Sequence, residues 1–104
     1  MQKQVSILHH DYPGHVRNEV DQRLDHLLKY YERIVSSRAL LERHNEEHRV
    51  EIVCNVGHGA VLVVDARKDA FTAALDEAFD RMHALLVRHR EKHMDQRRRA
   101  PRET

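Results

Sequence analysis

Tryptophan is absent from this 104-residue chain, and only three tyrosines and two phenylalanines are present. Proteins that grip single-stranded nucleic acid by stacking need exposed rings, so that class is disfavoured. One cysteine, Cys54, excludes an internal disulfide and any CxxC metal or redox pair. The start, MQKQVSILHH, carries a base but too short an apolar stretch for an export signal. A reducing, cytoplasmic setting is therefore expected. No apolar run approaches the ~20 residues of a membrane span, so no membrane partner is expected. A formal net charge of only +1 means that any attraction for a polyanion must be local.

The apolar residues that are present keep strict periods. Val5 and Ile7 alternate within 3–8, which predicts a short strand. Asp11-Tyr12-Pro13-Gly14 breaks the pattern. Val16, Val20, Leu24, Leu27, Tyr31 and Ile34 then recur at steps of three and four, which predicts an amphipathic helix from Gly14 to Arg33. A strand over 36–43 is followed by the turn His44-Asn45-Glu46-Glu47. Val50, Ile52, Cys54 and Val56 alternate with polar residues as a half-buried strand. Gly57-His58-Gly59 predicts a hairpin turn. The next strand, 60–67, has a continuous apolar centre, which predicts an inner place in the sheet. Asp69 is placed to cap a final helix whose stripe is Phe71, Leu75, Ala78, Phe79, Met82, Leu85 and Leu86. The fold class is α+β, in the order β-α-β-β-β-α. A four-stranded sheet carries two helices packed on one face, because each helix has a single apolar stripe. The domain is expected over 1–95, with 96–104 a basic, disordered tail.

The last helix changes sign along its length. Asp69, Asp76, Glu77 and Asp80 occupy its start, without Lys or Arg among them. From Arg81 to Arg102 eight bases stand against Glu91 and Asp95. This order complements a helix dipole, but the dipole acts only over the last turn. The bases extend over several turns, as a phosphate-binding surface requires. Arg81, Arg88 and Lys92 share one side of the helix, and Arg90 lies in the neighbouring row.

Leu27-Leu28-Lys29-Tyr30-Tyr31-Glu32-Arg33-Ile34 resembles the "L-x-K-Y-F-x-R-I" signature of the ribosome hibernation-promoting factor family, also called ribosome-associated inhibitor A or the S30AE domain. Arg17, Val20, Arg23 and Leu24 keep that family's upstream spacing. Ala74-Leu75-Asp76-Glu77-Ala78-Phe79-Asp80-Arg81 is similar to its "A-I-D-x-x-x-D-K" run, and Arg88-His89-Arg90-Glu91-Lys92 to its "K-H-K-E-K" ending. The resemblance covers 3–93. Thr72 stands where the family has an aromatic, with Phe71 beside it, and Ala84 stands near a usual Arg. The chain is similar to the short form, which has no C-terminal dimerisation domain.

The resemblance implies a non-enzymatic factor, without cofactor, that binds the small ribosomal subunit through its 16S rRNA. It implies occupation of the decoding region, blocking mRNA and tRNA and inhibiting translation under stress or stationary phase. The rRNA-binding residues it implies are Arg17, Arg23, Lys29, Arg81, Arg88, His89, Arg90 and Lys92. No DNA partner is expected, and the factor would be a monomer off the ribosome. The alternative is a protein-interaction regulator of the same fold, of the sigma-factor modulation type, without ribosome binding.

Other constellations carry less. His44-Asn45-Glu46-Glu47-His48 matches the H-x-x-E-H pattern of some zinc hydrolases, which needs both histidines on one helical face. Here it falls in an expected hairpin, so catalytic and metal roles are not assigned. His9-His10 and the pair His89 and His93 are equally plain. Gly57-His58-Gly59 is too short for a phosphate loop. Cys54 lies on the apolar side of its strand, as a small hydrophobe.

Overall fold

The computed structural model describes residues 2–8 and 12–99, without the side chains of 93 and 95–99. The elements run β1 (Gln2–Leu8), α1 (Gly14–Tyr30), β2 (Ser36–His44), β3 (Glu47–Gly57), β4 (Ala60–Lys68) and α2 (Phe71–Arg99). The strands lie in the order β1-β2-β3-β4. β1 pairs parallel to β2, which requires the α1 crossover, and the two hairpins make the remaining pairs antiparallel. This is the architecture expected from the apolar periods.

Both helices cover one face. α1 lies over β1 and β2, and α2 over β3 and β4. Val16, Val20, Leu24 and Leu27 of α1 meet Ala39, Leu41, Val50, Ile52 and Cys54 of the sheet and Leu75, Met82 and Leu86 of α2 in one core. The outer face carries Arg49, whose guanidinium reaches Asp65 at 2.9 Å, Glu51 at 3.1 Å and Glu42 at 3.4 Å. Satisfying three carboxylates with one planar cation holds three strands together where no core covers them.

Three local expectations are corrected. β4 is an edge strand, not an inner one. Its apolar run has two destinations: Val64 is buried under α2, whereas Val61 and Val63 face outward, 53% and 52% exposed. A continuous run does not distinguish these cases. α1 stops at Tyr30 rather than Arg33, because Tyr31 is already extended and the Val35 N–H donates to the Asn55 carbonyl at 2.8 Å, drawing the chain into the sheet. Asp69 is not the cap of α2. The Ala74 N–H donates to the Ala70 carbonyl, so the capping place is Ala70.

The hairpin turns follow their chemistry. His58 and Gly59 have φ of +53° and +79°, the left-handed pair that suits a two-residue turn between twisted strands. The Gly57 N–H donates to the Asn55 side-chain oxygen at 2.9 Å beside a register shift, which fixes the approach to the turn. α2 continues through 96–99, where a tail was expected. Residues 100–104 and the pair His9-His10 lie outside the described residues, as does the side chain of His93.

Candidate nucleic-acid interface

The two helices run parallel. Arg23 meets Asp76, 53 residues on, and Tyr30 meets His83 at the same separation, with ring centroids 4.4 Å apart. Each helix is the return limb after an upward strand, β1 or β4, so both point the same way. Their C-terminal halves therefore share one end of the domain. There Tyr31 packs near His89, with centroids 5.9 Å apart, and the Arg90 guanidinium lies 5.6 Å from the centre of the Tyr30 ring. Lys29 lines a cleft of about 390 Å³ with Tyr30, Arg33 and Arg90.

Two acids in the first half of α2 are engaged by bases nearby. Asp76 pairs with Arg23 at 2.6 Å, and Glu77 with Lys68 at 3.3 Å and Arg81 at 3.8 Å. The last buried side chain described in α2 is Leu86. Beyond it Val87 and His89 are half-buried, and Arg88, Arg90 and Lys92 stand exposed. With a rise of ~1.5 Å per residue, the stretch from there to Arg99 extends about 20 Å. The reversal of charge along α2 is thus a reversal of circumstance: Asp76 and Glu77 are paired near its start, whereas Arg88, Arg90 and Lys92 stand exposed further along.

The eight residues marked by the resemblance separate into two groups. Lys29, Arg88, His89, Arg90 and Lys92 gather at the shared C-terminal end. Arg17, Arg23 and Arg81 lie nearer the other elements and hold internal acceptors. Arg17 donates to the Val5 carbonyl at 2.6 Å, and Arg81 to the Asp65 carbonyl at 3.1 Å. Arg23 also stacks 5.6 Å from the centre of the Phe79 ring. Helical spacing reveals which side a base is on, but not whether another element offers it an acceptor. Arg33, on the turn after α1 within the signature stretch, and His58, between two glycines at the β3–β4 turn, border the same end of the domain.

The opposite end is built differently. The Tyr12 hydroxyl lies 2.6 Å from His48 Nδ1, and Phe71 packs on Tyr12 with centroids 4.7 Å apart. Burial pushes the Tyr12 phenol up, against a smaller lowering by Arg43. Phe71 thus supplies an aromatic contact at the start of α2, next to Thr72. His44 and His48 sit on the two strands of the β2–β3 hairpin, where His44 pairs with Glu47 and Arg43 with His48. The one helical face that the zinc-hydrolase pattern needs does not exist there.

The family model described as "Sigma 54 modulation protein / S30EA ribosomal protein" matches residues 4–94, and the chain belongs to that family. A ribosome hibernation promoting factor of Azotobacter vinelandii is 27% identical over 94 residues, covering 88% of this chain and 87% of that protein. Two solved structures share the fold. A ribosomal subunit interface protein from Coxiella burnetii superposes with a TM-score of 0.77 at 13% identity, over 88% of this chain and 99% of that one. The N-terminal domain of Thermus thermophilus Protein Y does so at 0.72 and 22% identity, over 86% and 99%.

Proposed function

We propose that this chain is a ribosome hibernation factor. It binds the small ribosomal subunit at the decoding region and inhibits translation under stress or stationary phase by blocking mRNA and tRNA. The observation that carries the reading is the group of cations at the shared C-terminal end of the parallel helices, Lys29, Arg88, Arg90 and Lys92 with His89. These groups make the close contacts to 16S rRNA phosphates. Arg17, Arg23 and Arg81, committed within the chain, reinforce the field. Folded RNA is recognised largely through shape and backbone, which suits an interface with few free rings. The action is steric and needs no catalysis or cofactor. Off the ribosome the factor is a cytoplasmic monomer.

Co-sedimentation with purified small subunits over a salt series tests this. Binding at low salt that falls steeply as salt rises is expected. Failure to pellet at low salt overturns the reading. Capture of a protein partner that is indifferent to ribonuclease and to salt would instead favour the regulator of sigma-factor modulation type.

A further inference from the structure

β4 forms one edge of the sheet, and the two halves of that edge are treated differently. In an antiparallel pair, residues alternate between bonding to the neighbouring strand and pointing N–H and C=O away from it. The Asp65 carbonyl points away, because the Arg81 guanidinium donates to it at 3.1 Å. By the same alternation Val61 and Val63 direct their backbone groups off the sheet. The edge is covered at Asp65, whereas Val61 and Val63 stand 53% and 52% exposed, with their side chains on the outer face. An exposed apolar edge is a template for a further strand. The bases of α2 divide about this edge. Arg90 turns toward α1, over the Tyr30 ring. Arg81 turns toward β4, and Arg88 and Lys92 follow it at steps of seven and four on the same side. α2 runs antiparallel to β4. Seven residues of helix carry the chain about 10 Å from Arg81, and three residues of strand lead about 10 Å back from Asp65. Arg88 therefore stands level with Leu62, and Lys92 lines the same cleft as Ala60. Leu62 and Leu85 are half-buried on this flank. Its acids are engaged already, Asp65 with Arg49 at 2.9 Å and Glu77 with Lys68 at 3.3 Å.

We propose that the exposed half of the β4 edge binds an extended peptide segment of a protein partner, with alternating apolar and acidic residues, as a fifth strand. Side chains of such a strand fall alternately on the two faces of the sheet. The apolar ones lie beside Val61 and Val63 on the outer face. The acidic ones lie on the helix side, where Arg88 and Lys92 meet them. Backbone hydrogen bonds with Val61 and Val63 supply the affinity, and the two side-chain rows supply the selectivity. The proposal goes beyond the ribosome reading and does not depend on it. Because Arg88 and Lys92 serve both surfaces, such a partner competes with rRNA.

The test uses the full chain and three probes: the capped peptide Glu-Val-Glu-Val-Glu-Val-Glu, its counterpart with Lys in place of Glu, and hexauridylate. Amide hydrogen exchange and backbone amide spectra are recorded with each. Val63→Pro removes one outward N–H at a place where an edge strand tolerates proline. A second variant combines Arg88→Ala with Lys92→Ala, both exposed, so the test survives if Val63→Pro fails to fold. Arg38→Ala, on β2, is the control, and melting curves establish which variants fold. The acidic peptide should slow exchange at the Val61 and Val63 amides about tenfold. Val63→Pro and the double variant should each weaken its binding about tenfold, and Arg38→Ala should leave it unchanged. The Lys peptide should bind about tenfold more weakly than the acidic one. Unaltered exchange at Val61 and Val63 with the acidic peptide at millimolar concentration overturns the proposal. Equal binding of the two peptides overturns the acidic partner. Slowing by hexauridylate but by neither peptide overturns the protein partner in favour of RNA. Subunit co-sedimentation is a separate readout, so any of these failures leaves the ribosome reading standing.

Discussion

Arg23 closes on Asp76 at 2.6 Å and joins the two helices at a point where both side chains remain partly exposed, 36% and 59%. The bridge sets their lateral register and removes an acid and a base together from the outer electrostatics of the molecule. Exposed pairs of this kind contribute ~0–1 kcal/mol. A double-mutant cycle of Arg23→Ala and Asp76→Ala, read by urea denaturation, should give a coupling below about 1 kcal/mol. A coupling above ~2 kcal/mol would show that the pair organises the core. Arg23→Ala should also weaken subunit binding less than Arg90→Ala does.

The combined replacement Arg88→Ala, Arg90→Ala and Lys92→Ala should behave in the opposite sense. These positions follow the last buried side chain described in α2, so the melting temperature should hold within a few degrees. The salt slope of subunit binding should fall by about three, one for each lost phosphate contact. Sedimentation across salt, together with thermal denaturation, reads both outcomes. A slope unchanged from wild type would remove these residues from the interface.

Leu24 has no exposed surface and faces the sheet from the middle of α1. Leu24→Ala should cost about 2–5 kcal/mol, through lost burial and the cavity left behind. In a domain of this size that is a large share of the total stability. Urea titration measures it, and a loss below ~1 kcal/mol would mean that the core relaxes around the gap.

The Cys54 thiol is pushed up to about 11 from 9.0 by burial. Native protein should therefore react with an aromatic disulfide reagent at pH 8 far more slowly than unfolded protein does. The folded state keeps this proton where the unfolded state releases it. Its contribution is complete below pH 9 and falls as pH rises from 9 to about 11, by up to about 3 kcal/mol. Cys54→Ala should flatten that part of the stability curve. An equal alkaline slope in the variant would refute the assignment.

Much of the architecture was legible because burial leaves a period. Val50, Ile52, Cys54 and Val56 alternate in sequence and are all buried. The stripe from Val16 to Ile34 is buried as well, although its last two members sit beyond the helix end. What escaped depends on neighbours distant in sequence. Val61 and Val63 look like core residues until the strand order places them at an edge. Arg17 and Arg81 look available until the carbonyls of Val5 and Asp65 take them. Arg33, His58 and Lys92 likewise border one cleft only after two helices and a hairpin are assembled.

The molecule measures 59 Å along its longest axis against 22 and 19 Å across. The projecting bases of α2 stand apart from the paired charges around Asp76 and Glu77, so charge acts with a lever arm. A polyanionic surface exerts a torque on such a body before any contact forms. It turns the basic end inward and raises the share of encounters that begin in a productive orientation. The Debye length is ~8 Å at physiological ionic strength, well short of the width of the domain. Alignment therefore happens only in the final approach, and added salt should slow association before it speeds release.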